Sequence, residues 1–197
     1  MKRTPAQTTS QLRIIGGRWR GRKLTFTDRT GLRPTGDRVR ETLFNWLAPY
    51  LPGSRCLDLF AGSGALGMEA LSRGAQYCDF VDSDSQAVAS IQANLDTFAS
   101  AYPEECAQVT LNNALNFLTE NRTDWHIVFI DPPFGQGLAE PALTHLIHHN
   151  CLSRDSWVYF ETRQSQPEPI PEDLYTVYRE KTAGDVLYRL LAPLSKD

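Results

Sequence analysis

The sequence predicts an α/β fold, a mostly parallel sheet with helices on both faces, and three observations carry that prediction. From Arg55 onward, short apolar runs alternate with helical stretches, the order expected of βαβ units. A glycine-rich turn containing Gly62, Gly64 and Gly67 joins the first of these runs to the first helical stretch. At 197 residues the chain has the length of one such domain and can bury most of its surface without staples.

With 41% apolar and 22% charged residues, the composition excludes wholesale disorder, and no apolar run approaches the ~20 residues that span a bilayer. The opening MKRTPAQTTSQ carries charge but no apolar core, so it does not read as a secretory signal. Residues 1–11 are expected to form a disordered polar tail, and the protein to be cytoplasmic. Cys56, Cys78, Cys106 and Cys151 are too widely spaced for a CxxC pair and read as reduced core residues.

The elements follow in order. Residues 13–26, with LRIIGG and RGRKLTF around Gly16, Gly17 and Gly21, read as one or two short strands with glycine turns. In LRPTGDRVRETLFNWL, Pro34 favours an extended Arg33, and Thr35 is placed to cap a helix. Val39, Leu43, Trp46 and Leu47 recur there at helical spacing, and Pro49 and Pro52 end the run. The alternation then runs RCLDLF, helix 65–73, YCDFV, helix 86–98, QVTLN, helix 115–120, HIVFI, helix 138–149 and WVYFET. After the break QPEPIPED, YTVYREKTAG and DVLYRLL predict an antiparallel hairpin turning at Gly184, on the sheet edge. The expected division is a hairpin and helix over residues 12–52 and the α/β domain over 53–197.

Charge is unevenly spread. Residues 1–40 hold eleven Lys and Arg against two Asp, whereas residues 41–197 hold nine against twenty-one acids. A basic arm on an acidic body fits a protein that meets a polyanion with one face, since Lys and Arg displace counterions condensed on phosphates. A merely solubilising basic hairpin explains the charge alone equally well. Arg18, Arg20, Arg22 and Lys23 interleave with Trp19, which either stacks on a base or packs the hairpin.

DLFAGSGALG lets backbone approach a ligand closely and aims helix N–H groups at it. Asp82, twenty residues after Gly62, stands where a carboxylate accepts both ribose hydroxyls. This spacing serves NAD as well as S-adenosylmethionine. Asp58 favours the second, because a carboxylate repels a pyrophosphate but holds an ammonium.

HIVFIDPPF delivers Asp131 at the end of a buried strand, the edge over which open α/β sheets bind ligands. Pro132 and Pro133 have no N–H, leave their carbonyls free and hold Asp131 and Phe134 in place. A carboxylate, a carbonyl and an aromatic plane suit an exocyclic amine on an everted base. An aryl amine is a poor nucleophile, and accepting its hydrogens favours a tetrahedral nitrogen aimed at an activated methyl donor. Asp131 need not be a strong base, since positioning supplies much of the rate.

DLFAGSG followed by FIDPPF, about seventy residues apart, resembles the motif pair of class I S-adenosylmethionine-dependent amino-methyltransferases, whose fold is Rossmann-like. RIIGGRWRGRKL, LRPTGDRVRETLFNWL and CLDLFAGSGALGMEALSRGA narrow the resemblance to the bacterial RsmD family, over residues 13–191. That family methylates the N2 amine of one guanine in small-subunit (16S) ribosomal RNA. The resemblance implies cofactor roles for Asp58, Ala61, Gly62 and Gly64, with Asp82 at the ribose. Asn113 and Ala114 match the segment beside the adenine; Asp82 and Asn113 stand where glutamate and aspartate are common in relatives. Asp131, Pro132, Pro133 and Phe134 match the catalytic turn. Arg33, Thr35 and Arg38 would line the cofactor or RNA entrance. The implied partner is the small ribosomal subunit, assembled or assembling, met by a monomer without metal or membrane.

Three other readings stay open. DPPF accepts adenine amines too, so an N6-adenine methyltransferase on RNA or DNA fits the motifs. An NAD-dependent oxidoreductase fits Gly62, Gly64, Gly67 and Asp82 but has no use for DPPF. An RNA-binding module with a dead pocket would be indifferent to loss of Asp131. His145, His148 and His149 share a predicted helix without a nearby acid and read as a helix face, so no metal is implied.

Overall fold

In the computed structural model, which describes residues 8–28, 34–98 and 106–194, the chain forms two sheets and five helices among those residues. An antiparallel ribbon pairs β1 (Thr9–Arg13) with β2 (Lys23–Thr27). α1 (Asp37–Leu47) leads into the alternating part: β3 (Arg55–Asp58), α2 (Ala65–Ser72), β4 (Tyr77–Asp82), α3 (Ser85–Phe98) and β5 (Ala107–Leu111). It continues with α4 (Ala114–Glu120), β6 (Trp125–Ile130), α5 (Ala139–His148) and β7 (Leu152–Arg163), then β8 (Tyr175–Ala183) and β9 (Val186–Pro193).

The large sheet has the order β5-β4-β3-β6-β7-β9-β8. β3 through β7 are parallel, and β9 enters antiparallel between β7 and β8. Inserting the last strand between its two predecessors departs from the dinucleotide-binding order, in which strands run outward in succession. The Rossmann-like reading and the antiparallel C-terminal hairpin therefore both hold.

Successive strand residues serve opposite faces, as a period of two requires. Cys56, Ile127, Phe129 and Tyr159 point into a core shared with α1, α2 and α3. Leu57, Val128, Ile130 and Phe160 point into a second core under α4 and α5. All four cysteines are buried and free. Among the described residues no helix is long and apolar enough to cross a membrane.

The N-terminal extension is fastened to the body by groups the sequence leaves unremarked. Glu69, fully buried in α2, accepts the N–H groups of Ile15 and Gly16 at 2.9 and 2.8 Å. Ser72 Oγ accepts from Trp19 N, and Asn94 pairs with both backbone groups of Thr25 as a strand neighbour would. Gly17 has φ +74°, and a Cβ there would sit 1.9 Å from the Ser72 carbonyl, so the close approach requires glycine.

Three expectations need correction. Residues 9–11, expected in a disordered tail, pair with β2 because Leu12 and its neighbours give the ribbon an apolar face on the core; residues 1–7 lie outside the described residues. Residues 14–22 form the glycine turn between β1 and β2, bent at Gly17 and Gly21 so that Trp19, offered as a base-stacking residue or a packing one, enters the core beside Phe98 at 5.0 Å. Trp19 is 1% exposed, which removes it as a base-stacking platform. Thr35 does not cap α1: the cap position is Gly36 without a side-chain bond, because the Thr35 hydroxyl faces other partners.

Candidate active site

Parallel strands end at the same edge of the sheet, and here that edge carries acids. Asp58 and Asp82 close β3 and β4, Asp131 follows β6, and Glu161 lies near the end of β7. The register opposes Ile130 to Phe160, so the next residues, Asp131 and Glu161, stand side by side. All four line one cavity of about 910 Å³, a size suited to a nucleotide-like ligand.

The glycine loop shapes one end of the cavity. Gly62 and Gly64 have φ of +52° and +74°, which turns the chain from β3 into α2, with Gly64 as its N-cap. Asp58 Oδ2 accepts the Gly67 N–H at 2.9 Å, capping the first turn of α2 from the strand beneath. Gly67 itself is a packing residue, since a Cβ there would meet Phe80 at 2.3 Å. Asp82 accepts from Gly62 N at 2.7 Å and from Asp84 N at 2.8 Å, so it braces the loop. Asn113 caps α4, its side chain accepting from Leu115 N and Asn116 N, while Ala61 and Ala114 line the cavity wall.

The other end holds the proline turn. Pro132 is buried, Pro133 is exposed, and Phe134 is 36% exposed at the mouth. Thr35 Oγ1 lies 3.0 Å from Asp131 Oδ2 and 3.3 Å from Glu161 Oε2, and Tyr159 donates its hydroxyl to Glu161 Oε2. Arg163 places its guanidinium 5.5 Å from the Phe134 ring centre and pairs with Asp185 at 3.4 Å. Glu161, Tyr159 and Arg163 escape the motif reading. Their one sequence signal is that WVYFETR ends an apolar strand on an acid, as FIDPPF does.

Charge is lopsided. Seven carboxylates and two guanidinium groups line the cavity. Burial, with Asp82 nearby, pushes Asp58 up to about 7 despite the Gly67 bond. Burial and the Glu161 carboxylate hold Asp131 well above the usual range, and burial raises Glu161 as well. Such a site favours a cationic guest, whose charge lets these acids ionise, and opposes a pyrophosphate.

Among the basic residues singled out from sequence, Arg38 lines the cavity. Arg18, Arg20, Arg22 and Lys23 are exposed on the ribbon and its turn and do not line it; Arg22 lies 5.1 Å from the Phe98 ring. Arg33 lies outside the described residues.

A family model described as conserved hypothetical protein 95 matches residues 12–192. The chain is 45% identical over 190 residues to ribosomal RNA small subunit methyltransferase D of Escherichia coli K12, covering 96% of this chain and 94% of that one. The protein of the same name in Haemophilus influenzae is 47% identical over 182 residues, at 91% and 93% coverage. A solved Escherichia coli structure superposes with a TM-score of 0.81 at 43% identity, covering 92% of this chain and 97% of that one.

Proposed function

The chain belongs to the RsmD family of methyltransferases, and from that premise we propose that it methylates the N2 amine of a guanine in 16S ribosomal RNA, in the cytoplasm, using S-adenosylmethionine. The observation that carries the proposal is that the glycine loop and the DPPF turn open into one cavity lined by seven carboxylates.

That lining fits the donor, a cation, and disfavours NAD, whose pyrophosphate would meet seven carboxylates against two guanidinium groups. Asp58 would hold the methionine ammonium; Ala61, Gly62 and Gly64 the backbone-lined end; Asp82 the ribose; Asn113 and Ala114 the adenine. Thr35, through its bonds, belongs with the catalytic turn. S-adenosylmethionine, when bound, supplies a methyl group activated by its sulfonium.

Phe134 would stack on the everted guanine, with Arg163 beyond the ring. Asp131 and the Pro132 carbonyl accept the two N2 hydrogens, which localises the nitrogen lone pair and orients it. Transfer of that methyl group to N2 would cost its bond to sulfur and leave the nitrogen with one proton to shed. Asp131, held high by burial and by Glu161, receives it. Arg18, Arg20, Arg22, Lys23 and Arg33 would carry the RNA backbone, outside a cavity too acidic for phosphate, with Arg38, which lines that cavity, at its entrance.

The test supplies labelled donor and small subunits from cells lacking this gene, then identifies the labelled nucleoside. N2-methylguanosine, lost with Asp131→Ala, supports the proposal; N6-methyladenosine moves the substrate to adenine; absence of donor binding returns the oxidoreductase.

A further inference from the structure

We propose that Glu161 selects guanine over other purines by accepting the N1–H of the everted base while Asp131 accepts from its N2 amine. The inference rests on the guanine reading above.

The juxtaposition is built into the sheet. Parallel register sets Glu161 beside Asp131, and both carboxylates lie within 3.3 Å of one Thr35 hydroxyl oxygen. Tyr159 and Thr35 both bond Glu161 Oε2, and among the described residues nothing bonds Oε1. The residue is only 4% exposed and lines the cavity. With one oxygen locked by two hydroxyls and the other left open to the cavity, the carboxylate is held in place to accept a donor from a guest.

Guanine presents two kinds of donor side by side on its Watson–Crick edge, N1–H and the N2 amine. Two adjacent carboxylates match that edge. A purine whose N1 is an unprotonated lone pair would instead face the ionised Glu161 acceptor to acceptor, and could pair with it only after the carboxyl takes up a proton. Sites built around one hydrogen bond reject analogues lacking it far more strongly than apolar pockets reject a missing methylene. Tyr159, whose hydroxyl donates to Glu161, is a positioning residue that fixes the carboxylate plane.

The test uses reassembled small subunits in which the methylated nucleotide, located first by mapping the label, is either guanine or 2-aminopurine. The analogue keeps the 2-amine but carries a lone pair at N1. The wild-type protein is expected to act about 100-fold more slowly on 2-aminopurine. Glu161→Gln, whose amide donates to that lone pair, is expected to narrow the ratio below about tenfold. Wild-type rates within threefold of each other overturn the proposal, and that arm needs no variant. So does a folded Glu161→Gln that keeps the wild-type ratio or is inactive on both bases, since the carboxylate would then serve transfer itself. Label in N6-methyladenosine during mapping would overturn the guanine reading first, before either base is compared.

Discussion

Thr35 Oγ1 stands 3.0 Å from Asp131 Oδ2, tying the residue before the Gly36 cap of α1 to the turn after β6 across ninety-six positions of chain. The same hydroxyl reaches Glu161. One hydroxyl hydrogen serves one carboxylate at a time, so the arrangement is complete when one acid carries a proton, which their raised affinities allow. Thr35 lowers Asp131 within that balance. Thr35→Val should therefore cut turnover about tenfold and move the acid limb of the pH–rate profile upward, because Asp131 loses a bond that favours its ionised form. Thr35→Ser should restore both in steady-state kinetics across pH.

Asp131→Ala should reduce methyl transfer by at least about 100-fold while leaving donor affinity within about threefold. Asp131→Asn keeps one acceptor and should fall between the two. Single-turnover rates beside calorimetric donor binding separate the effects, and equal loss of both would remove Asp131 from the transfer step.

Asp58 makes the empty protein sensitive to pH. Its carboxyl titrates near pH 7 in the fold against 3.8 as the ordinary value. Between those values the folded state holds a proton the unfolded state has released, so stability falls as pH rises, by roughly 1.4 kcal/mol per unit at the steepest. Donor binding should release protons and tighten from pH 6 to 8. Denaturant titrations across pH, and calorimetry in buffers of differing ionisation enthalpy, measure each.

Glu69 holds two backbone N–H groups of the extension, Arg73 Nε at 2.6 Å and the buried Arg40 guanidinium at 3.6 Å. Glu69→Ala should cost about 3–5 kcal/mol, because it removes the acceptor of two backbone N–H groups and leaves the buried Arg40 with Asp37, at 2.6 Å, as its remaining carboxylate. Hydrogen exchange should quicken first at Ile15 and Gly16; unchanged protection there would show that other contacts hold the extension.

Replacing Arg20, Arg22 and Lys23 together by Ala should weaken RNA binding and flatten its dependence on log salt by about 0.7 to 0.9 for each phosphate no longer neutralised. Donor affinity should not change, since none of the three lines the cavity. An unaltered salt slope would mark the ribbon as a solubilising surface.

Fold class and glycine loop were legible because they depend on local periodicity and on residues with special backbone freedom. Alternation from Arg55 to Thr162 predicts each parallel strand and its helix to within a few residues. Gly62 and Gly64 mark their turn by needing positive φ, while Asp82 and Asp131 announce themselves by ending apolar runs and Asp58 by interrupting one just before the glycines. The ribbon was less legible, since residues 14–22 are rich in both strand formers and turn formers, and the choice fell to where Trp19 could be buried.

By itself, then, the sequence determined the order of elements, the acids at the strand ends and the family, all carried by short-range pattern. Tertiary structure alone decided that Thr35 serves Asp131 rather than a helix end, that Glu161 joins it, and that Glu69 anchors the N-terminal extension. These pairings depend on the register between β6 and β7 and on where α1 and α2 pack. Hydrogen bonds between residues distant in the chain have no period to read, and they exist only once the sheet has brought their strands to a common edge.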